Sequence, residues 1–283
     1  MNLHCKGLAA AAFALALAGV ANPQTPVPGA TPKVTEWPAL KDSEKDRVLA
    51  LAGQLRKEDA KLHEDAKKGL LQIGAGGAGL LLQQVSDRED RANELLFEVF
   101  DAMLTPAHAA LMAREAKKPK TLLRRYLALR MSQFHDKDLA GAFEAMRKDK
   151  DEQTVFYAEL GLLSLGRREV VPTVLAYTKT RWKDVGELVA KALAPARSRE
   201  HAEWVFEAIA KAPAADQMAG LRLLRYLMVK EQSVILRTYL EAADHTVKRE
   251  AVNAARVLHG EAPIENLDVF QVIGHAKDWL KKL

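Results

Sequence analysis

The chain has 283 residues, of which 48% are hydrophobic and 28% are charged, and its formal net charge is +5. This composition predicts a folded protein with a sizeable apolar core and excludes an intrinsically disordered chain. The positive excess is too small to indicate a nucleic-acid-binding protein by itself.

Residues 1–21 have the pattern of a secretory signal peptide. Lys6 gives the positive start, Leu8–Val20 is an apolar run, and small residues precede the predicted cleavage site before Asn22. The alternative is an N-terminal membrane anchor, but the run of about 13 residues is shorter than the roughly 20 that span a bilayer. We therefore expect export to the periplasm or the exterior, with no transmembrane segment in the mature chain. Cleavage would also remove Cys5, the single cysteine.

Residues 22–41 are rich in proline and threonine, which favours an extended chain. We interpret them as a linker, or as an arm that lies along the first helices through Trp37 and Leu40. A proline-rich ligand for a partner domain is the alternative interpretation.

Seven copies of one helical pattern follow, from about residue 58 onwards. Each copy starts with a small or apolar residue and has apolar residues about three, four and seven positions later, which is one face of a helix. The starting residues are Ala66, Ala92, Leu123, Ala158, Gly186, Ala219 and Ala251. Their mean separation of about 31 residues is typical of helical solenoids. Arg130 and Arg222 interrupt the third and sixth copies, which leaves the register of those helices open by one position.

A short break and a second apolar run follow these helices, so the sequence predicts one helix pair per copy. Thr105 before Pro106 is typical of an N-cap with proline at the first helical position. Gly74 and Gly166 stand where a C-cap glycine is expected. Since no segment alternates with period two for long enough to form a strand, we predict an all-α fold.

Two of the copies resemble HEAT repeats. Residues 65–74 (DAKKGLLQIG) and 158–166 (AELGLLSLG) look like the first helix of a HEAT unit, and Val170–Leu175 looks like the start of its second helix. The resemblance covers about residues 58–260. It implies a right-handed α-solenoid of about seven helix pairs within residues 42–283, and a role in protein–protein interaction or scaffolding. It brings no catalytic residues, and tetratricopeptide repeats fit less well.

The C-terminal segment predicts an amphipathic helix that caps the solenoid. Its apolar face is formed by Val269, Phe270, Val272, Ile273, Ala276, Trp279 and Leu280. A helix that lies on a membrane surface is the alternative, but three lysines near its end make it only weakly basic.

Basic residues recur at similar positions of the first helices. In a stack of repeats, equal phase produces a continuous stripe, so we expect these residues to form a strip for an anionic partner. The alternative is a solvated face balanced by Asp and Glu. Trp182, which stands between two cations, is a further interface candidate, although such a residue can instead pack over the preceding repeat. The candidate interface comprises Arg124, Arg125, Trp182, Arg222 and Arg225.

Several catalytic and ligand-binding motifs are incomplete. Residues 74–79 match G-x-G-x-x-G, but a dinucleotide fingerprint follows a strand, whereas a helix precedes these glycines. The histidines form no H-x-x-x-H or H-E-x-x-H pair, and the loop 135–138 lacks the glycine and final Glu of a calcium loop. There is no Gly-x-Ser-x-Gly elbow. We therefore predict no catalytic residue, no metal site and no cofactor.

These patterns favour a non-catalytic exported scaffold that binds a protein partner on the concave face of the solenoid. The second helices would form that face, at positions such as Gln83, Gln84, Lys179, Glu207 and Arg237. One alternative is a hydrolase or lyase on a helical scaffold, and another is a subunit of an envelope complex tethered by its N-terminal arm. We expect no nucleic-acid partner.

Overall fold

Helices form all the regular secondary structure that this computed structural model describes, in residues 33–88 and 90–283. The predicted signal peptide and residues 22–32 lie outside the described residues. In chain order the helices are α1 (Asp42–Gln54), α2 (Ala60–Ile73), α3 (Ala78–Gln84), α4 (Arg91–Met103), α5 (Ala109–Glu115), α6 (Thr121–Ser132), α7 (Ala140–Met146), α8 (Glu152–Ser164), α9 (Val171–Leu193), α10 (Arg199–Ile209), α11 (Ala214–Leu227), α12 (Arg237–Leu240), α13 (His245–Leu258) and α14 (Val269–Lys282). Short 3₁₀ helices connect several of them, at Gly74–Gly77, Pro106–His108, Lys137–Leu139, Arg168–Val170, Ala194–Ala196 and Lys230–Leu236.

Aspartate side chains cap the N-terminal ends of several helices, and glycines end two helices where the sequence predicts. Aspartate carboxylates accept hydrogen bonds from the first backbone N–H groups of α2, α4, α8, α13 and α14. Gly166 ends α8 with φ of 88°, and the N–H of Arg167 donates to the carbonyl of Leu162 at 3.0 Å. Gly74 ends α2 with φ of 74°. Both glycines therefore occupy backbone conformations that L side chains rarely adopt.

The repeat pattern correctly predicts the inward face of most first helices. The predicted positions of α2, α4, α6, α8 and α13 are all buried or half-buried. The predicted positions of α9 and α11 are also buried or half-buried. In addition α9 buries Val185 and Ala192 and α11 buries Leu224, whereas Gly186 and Arg222 are only half-buried.

Each helix that carries the pattern packs against the next one along the chain. The packed pairs include α2 with α4, α6 with α8, α8 with α9, α9 with α11, and α11 with α13, while α14 packs on α13. Phe97 and Phe100 of α4 contact Tyr126 of α6. One cluster of buried apolar side chains runs through all of these helices. Full burial of one large apolar side chain in this cluster stabilises the folded state by about 1.5–3 kcal/mol.

The expected break between the fourth and fifth helix pairs is absent. The second helix of the fourth pair continues without interruption into the first helix of the fifth, as the 23-residue α9. Trp182 therefore lies in the middle of a helix. The linking residues 178–184 (TKTRWKD) contain no proline or glycine, so nothing in the sequence ends the helix there.

The described part of the proline-rich segment, residues 33–41, packs on the first helices. The N–H of Val34 donates to the carbonyl of Ala107 at 2.9 Å, and the ring of Trp37 stacks on His108 with 5.8 Å between centroids. A Cβ placed on Gly79 would lie 2.7 Å from the Trp37 ring. Glycine at this position therefore allows residues 33–41 to approach α3 closely. This packing gives the G-x-G-x-x-G pattern a structural explanation.

In the described part of the chain, no single helix combines the length and the apolar character of a membrane span. Among the described helices, α4 and Pro106–Glu115 reach that length and apolar character only when they are counted together, and they are bent by 104° relative to each other. Both carry many buried residues of the core.

Two glycines, one on α7 and one on α8, allow a test of the packing between these helices. A Cβ on Gly161 would lie 2.5 Å from the Phe143 ring, whereas one on Gly141 would meet open space. We expect Gly161→Ala to lower the free energy of unfolding by about 1–3 kcal/mol through overpacking. Gly141→Ala should leave it unchanged or raise it by up to about 1 kcal/mol. Urea unfolding of both variants measures the difference, and equal effects would contradict this packing.

Candidate protein-interaction site

The first pair of candidate arginines ties α6 to the start of α8. Arg124 donates from Nε and Nη2 to Asp149 at 2.5 and 3.0 Å. Arg125 donates from the same atoms to Asp151 at 3.2 and 2.8 Å. Asp151 is also the N-cap of α8, where its carboxylate accepts from the N–H of Thr154 at 2.9 Å. Each carboxylate therefore links two consecutive first helices.

These hydrogen bonds also set the ionisation of the two aspartates. The bond from Arg124 is the largest influence on Asp149 and lowers the pKa of its carboxyl. Burial alone would raise the pKa of Asp151, but the bonds from Arg125 and Thr154 outweigh burial and lower it. Both groups are therefore carboxylates at neutral pH, and both offset an arginine charge.

The second pair of candidate arginines ties α11 to α13. Arg222 donates to Glu250 at 3.1 Å, and Arg225 forms ion pairs with Glu250 and, at 3.2 Å, with Glu265. Trp182 covers both guanidinium groups, with its ring centroid 5.5 Å from each central carbon. The side chains of Arg225 and Glu250 are each only 1% exposed.

This geometry corrects the expectation of an exposed basic strip. The four arginines do not share one phase, since they stand at +1 and +2 from Leu123 and at +3 and +6 from Ala219. Each pairs with a carboxylate that lies on, or just before, the next helix that carries the pattern. Arg225 is buried, so its selection as an interface side chain was wrong. A cation inside the fold requires a partner of opposite charge, which Glu250 supplies.

Arg130, which interrupts the pattern in α6, also acts between neighbouring helices. Its Nη2 donates to the carbonyls of Asp101 and Leu104 at 2.9 Å each. These carbonyls lie at the C-terminal end of α4, where helical partners are lacking. The arginine thus caps the preceding first helix, and this role explains a polar residue at an apolar position.

An open groove adjoins Arg125, between α4 and α6. This aromatic groove has a volume of about 300 Å³ and is lined by Asp90, Asn93, Glu94, Phe97, Leu122, Arg125, Tyr126, Leu129 and Tyr157. Phe97 and Tyr126 stack with 4.4 Å between ring centroids and 2° between planes. The Tyr126 hydroxyl donates to Asp101 at 2.9 Å. Burial raises the pKa of Tyr157 to about 12, so that hydroxyl stays protonated at neutral pH.

A second groove adjoins Trp182. This tryptophan groove has a volume of about 620 Å³ and is lined by Trp182, Lys183, Gly186, Glu187, Ala190, Lys191, Arg225, Tyr226, Pro263 and Glu265. Trp182 is half-buried, because one side of its ring covers the arginines and Gly186. Trp182 therefore both packs inside the fold, which was the alternative interpretation, and contributes to an accessible surface.

Phe97 and Tyr157 are groove residues that the sequence analysis did not select. The repeat pattern does not identify them, because Phe97 stands five positions after Ala92, Tyr126 three after Leu123 and Tyr157 one before Ala158. Only the packing of the helices brings Phe97 and Tyr126 together.

The polar residues expected on the second helices form contacts within the chain. Lys179 pairs with Asp216 at 2.6 Å, and Arg168 pairs with Glu207 at 2.7 Å. Arg237 donates to the carbonyl of Leu280 at 2.9 Å, which ties α12 to the end of α14. These interactions connect neighbouring helices in the same way as the arginine pairs of the first helices.

The loop 135–138 does not gather metal ligands. Asp136 caps the following 3₁₀ turn, and Lys33 of the arm forms ion pairs with Asp136 and Asp138. The described residues contain no group of three or more His, Cys, Asp or Glu side chains that could hold a metal ion.

His135 and His201 are half-buried histidines near the C-terminal end of α8. His135 has a backbone φ of 52° and lies near the carbonyls of Ser164 and Ala192. The Nε2 atoms of both rings are buried and have no hydrogen-bond partner in the described part of the chain. Burial lowers the pKa of both histidines, although the Glu200 carboxylate opposes this at His201.

No protein-family model and no curated protein matches this sequence. Function has to be inferred from the side chains and their geometry.

The buried ion pair on α11 and α13 predicts an asymmetry between single and double substitutions. Glu250→Ala leaves Arg225 buried without its main partner, so we expect the free energy of unfolding to fall by about 3–5 kcal/mol. Replacing both residues, as Arg225→Met with Glu250→Leu, should cost much less because no buried charge remains. Chemical denaturation of the three proteins measures this. A double variant as unstable as Glu250→Ala would contradict the assignment.

His135 and His201 predict a loss of stability in acid. Because the folded pKa values lie below the ordinary value of 6.5, the unfolded chain binds more protons as the pH falls below 6.5. The free energy of unfolding should therefore decrease from pH 7 towards the folded pKa. His201→Gln should reduce the proton uptake on unfolding by up to about one proton. His245→Gln, at an exposed position, is the matched control. An unchanged pH dependence in His201→Gln would refute the prediction.

Proposed function

We propose that this chain is a non-catalytic scaffold of HEAT-like helix pairs, arranged as an α-solenoid, that binds a protein partner. The recurring pattern with a mean period of about 31 residues supports this proposal. The packing of each first helix on the next is what a stack of repeats requires. The N-terminal pattern of residues 1–21 supports a site of action outside the cytoplasm.

The observation that carries the binding function is the pair of open grooves on the first helices. Two sequence-predicted candidates that are partly exposed, Arg125 and Trp182, line these grooves. Aromatic side chains and arginine are the residue types that contribute most to binding energy in protein interfaces. We therefore assign the binding surface to the first helices rather than to the second helices.

The shape of the grooves favours a protein over a small molecule. Sites for small molecules enclose most of the ligand surface. The aromatic groove and the tryptophan groove are instead open, and they lie on helices widely separated in the chain. An extended or helical segment of a partner can contact such a surface over several helices, with Phe97 and Trp182 as rigid anchors.

Site-specific photocrosslinking in the cells that make the protein tests the assignment. A benzophenone amino acid at Leu129 or Glu187 should crosslink a partner, because both positions line a groove. The same amino acid at Ala110, which is exposed on the second-helix element α5, is the control. Crosslinking from Ala110 but from neither groove would refute the assignment.

The crosslinked partner, once purified, allows a quantitative test. Leu129→Asp should weaken its binding at least about tenfold, because a charge would be placed against an apolar contact. Ala110→Asp should leave the dissociation constant unchanged. Circular dichroism confirms that both variants remain folded, and equal affinities for the two would count against the aromatic groove.

A further inference from the structure

In the described residues, the exposed large apolar side chains are Leu49, Leu71, Val234, Val269 and Phe270. Val234 lies in the 3₁₀ helix Lys230–Leu236, whereas the other four lie in the first two helices and the last one. Leu49 and Leu71 belong to α1 and α2, and Val269 and Phe270 start α14. Phe270 is 85% exposed, the highest value among them. Large apolar side chains at the ends of a chain of packed helices are candidates for contacts with a further molecule.

The exposed face of α14 has a defined order of residues. Phe270 is followed by Gly274, Lys277 and Lys281, at intervals of four, three and four residues, and all four are exposed. These intervals place the four side chains on one face of a helix. The face therefore presents, from its N-terminal end, a large apolar side chain, a gap at a glycine and two cations.

The exposed face of α1 has the complementary order. Asp42, Asp46, Leu49 and Gly53 follow each other at intervals of four, three and four residues, and all are exposed. When α1 is read from its C-terminal end, it presents a glycine, an apolar side chain and two carboxylates. This is the order that an antiparallel partner of α14 would need.

In an antiparallel pairing, each position meets a suitable counterpart. Phe270 lies over Gly53, and Leu49 lies over Gly274, so that each large side chain enters the space left by a glycine. Lys277 then faces Asp46, and Lys281 faces Asp42. All four pairs align because the residues of both faces are separated by four, three and four positions, and this spacing reads the same in either direction.

The two glycines have no evident role inside a single chain. A Cβ on Gly53 or on Gly274 would meet nothing within 4 Å, and neither residue has positive φ. Glycine inside an exposed helix is less favourable than alanine by about 1 kcal/mol. A close approach by another helix explains why such positions are occupied by glycine.

We propose that α14 of one copy of this chain packs antiparallel on α1 of a second copy. The two faces differ, so the contact is heterologous and joins copies head to tail. It is independent of the partner proposed for the grooves. Because one helix from each copy forms the contact, the buried area is small and the association should be weak and dependent on concentration. The present pairs Lys45–Asp42 and Lys281–Asp278 are solvent-exposed, so little is lost when they exchange partners.

Charge reversal with mixing tests the pairing by sedimentation velocity over a range of concentrations. Asp42→Lys with Asp46→Lys, and separately Lys277→Glu with Lys281→Glu, should each weaken self-association at least about tenfold, since like charges then face each other. An equimolar mixture of the two variants should regain the association of the unaltered protein. In that mixture every contact between unlike variants again joins opposite charges.

Glycine substitutions provide the matched control for shape. Gly53→Gln and Gly274→Gln should weaken association by filling the spaces for Leu49 and Phe270. Gly141→Gln, at an exposed helix glycine on α7 that also faces open space, should not. All three variants should fold, because glutamine is a better helix former than glycine.

The results of these experiments distinguish self-association through α1 and α14 from the binding of another molecule to either face. A chain that remains monomeric at its highest soluble concentration overturns it. So does association that survives the Asp42 and Asp46 reversal but is lost on Lys277 and Lys281 reversal, which would indicate that α14 pairs with something other than α1. Loss in each variant and recovery in the mixture supports the pairing.

Discussion

In the described residues, the helices bury their apolar faces mainly against helices that lie close to them in the chain, as α6 does against α8 and α11 against α13. The register between neighbours is therefore the constraint on which the rest of the structure depends. Steric fit sets it in part, since the Phe143 ring fills the space beside Gly161 and leaves no room for a Cβ. Polar contacts set it further, as where Arg124 and Asp149 join α6 to α8.

The same register creates the surface that we assign to binding. Phe97 of α4 and Tyr126 of α6 stack in parallel, and the space beside them remains open as the aromatic groove. Trp182 is held over two guanidinium groups, and its free edge borders the tryptophan groove. Side chains fixed from behind in this way lose little conformational entropy when a partner binds. Structural pairing and binding are thus properties of the same helices.

The sequence predicts the parts of the fold that depend on local pattern. Small and apolar residues at helical spacing identify the buried faces of α2, α8 and α13, and Gly166 marks a helix end, because these features act within one helix. The arginine pairs could not be predicted in this way. Arg225 and Glu250 are 25 residues apart, so only the stacking of two helices shows that one neutralises the other. For the same reason the sequence does not show that these arginines are paired within the chain.

Pairing across one repeat also distinguishes the interior of the chain from its ends. In the interior, a cation on one first helix meets a carboxylate 25–28 residues further on, as for Arg124 and Arg222. The helices α1 and α14 carry the same kinds of residues, but within the described residues Asp46 and Lys277 are exposed. The adjacent Leu49 and Phe270 are exposed as well. A second copy would supply a helix to face them, which makes the end-to-end contact an extension of the interaction that holds the interior together.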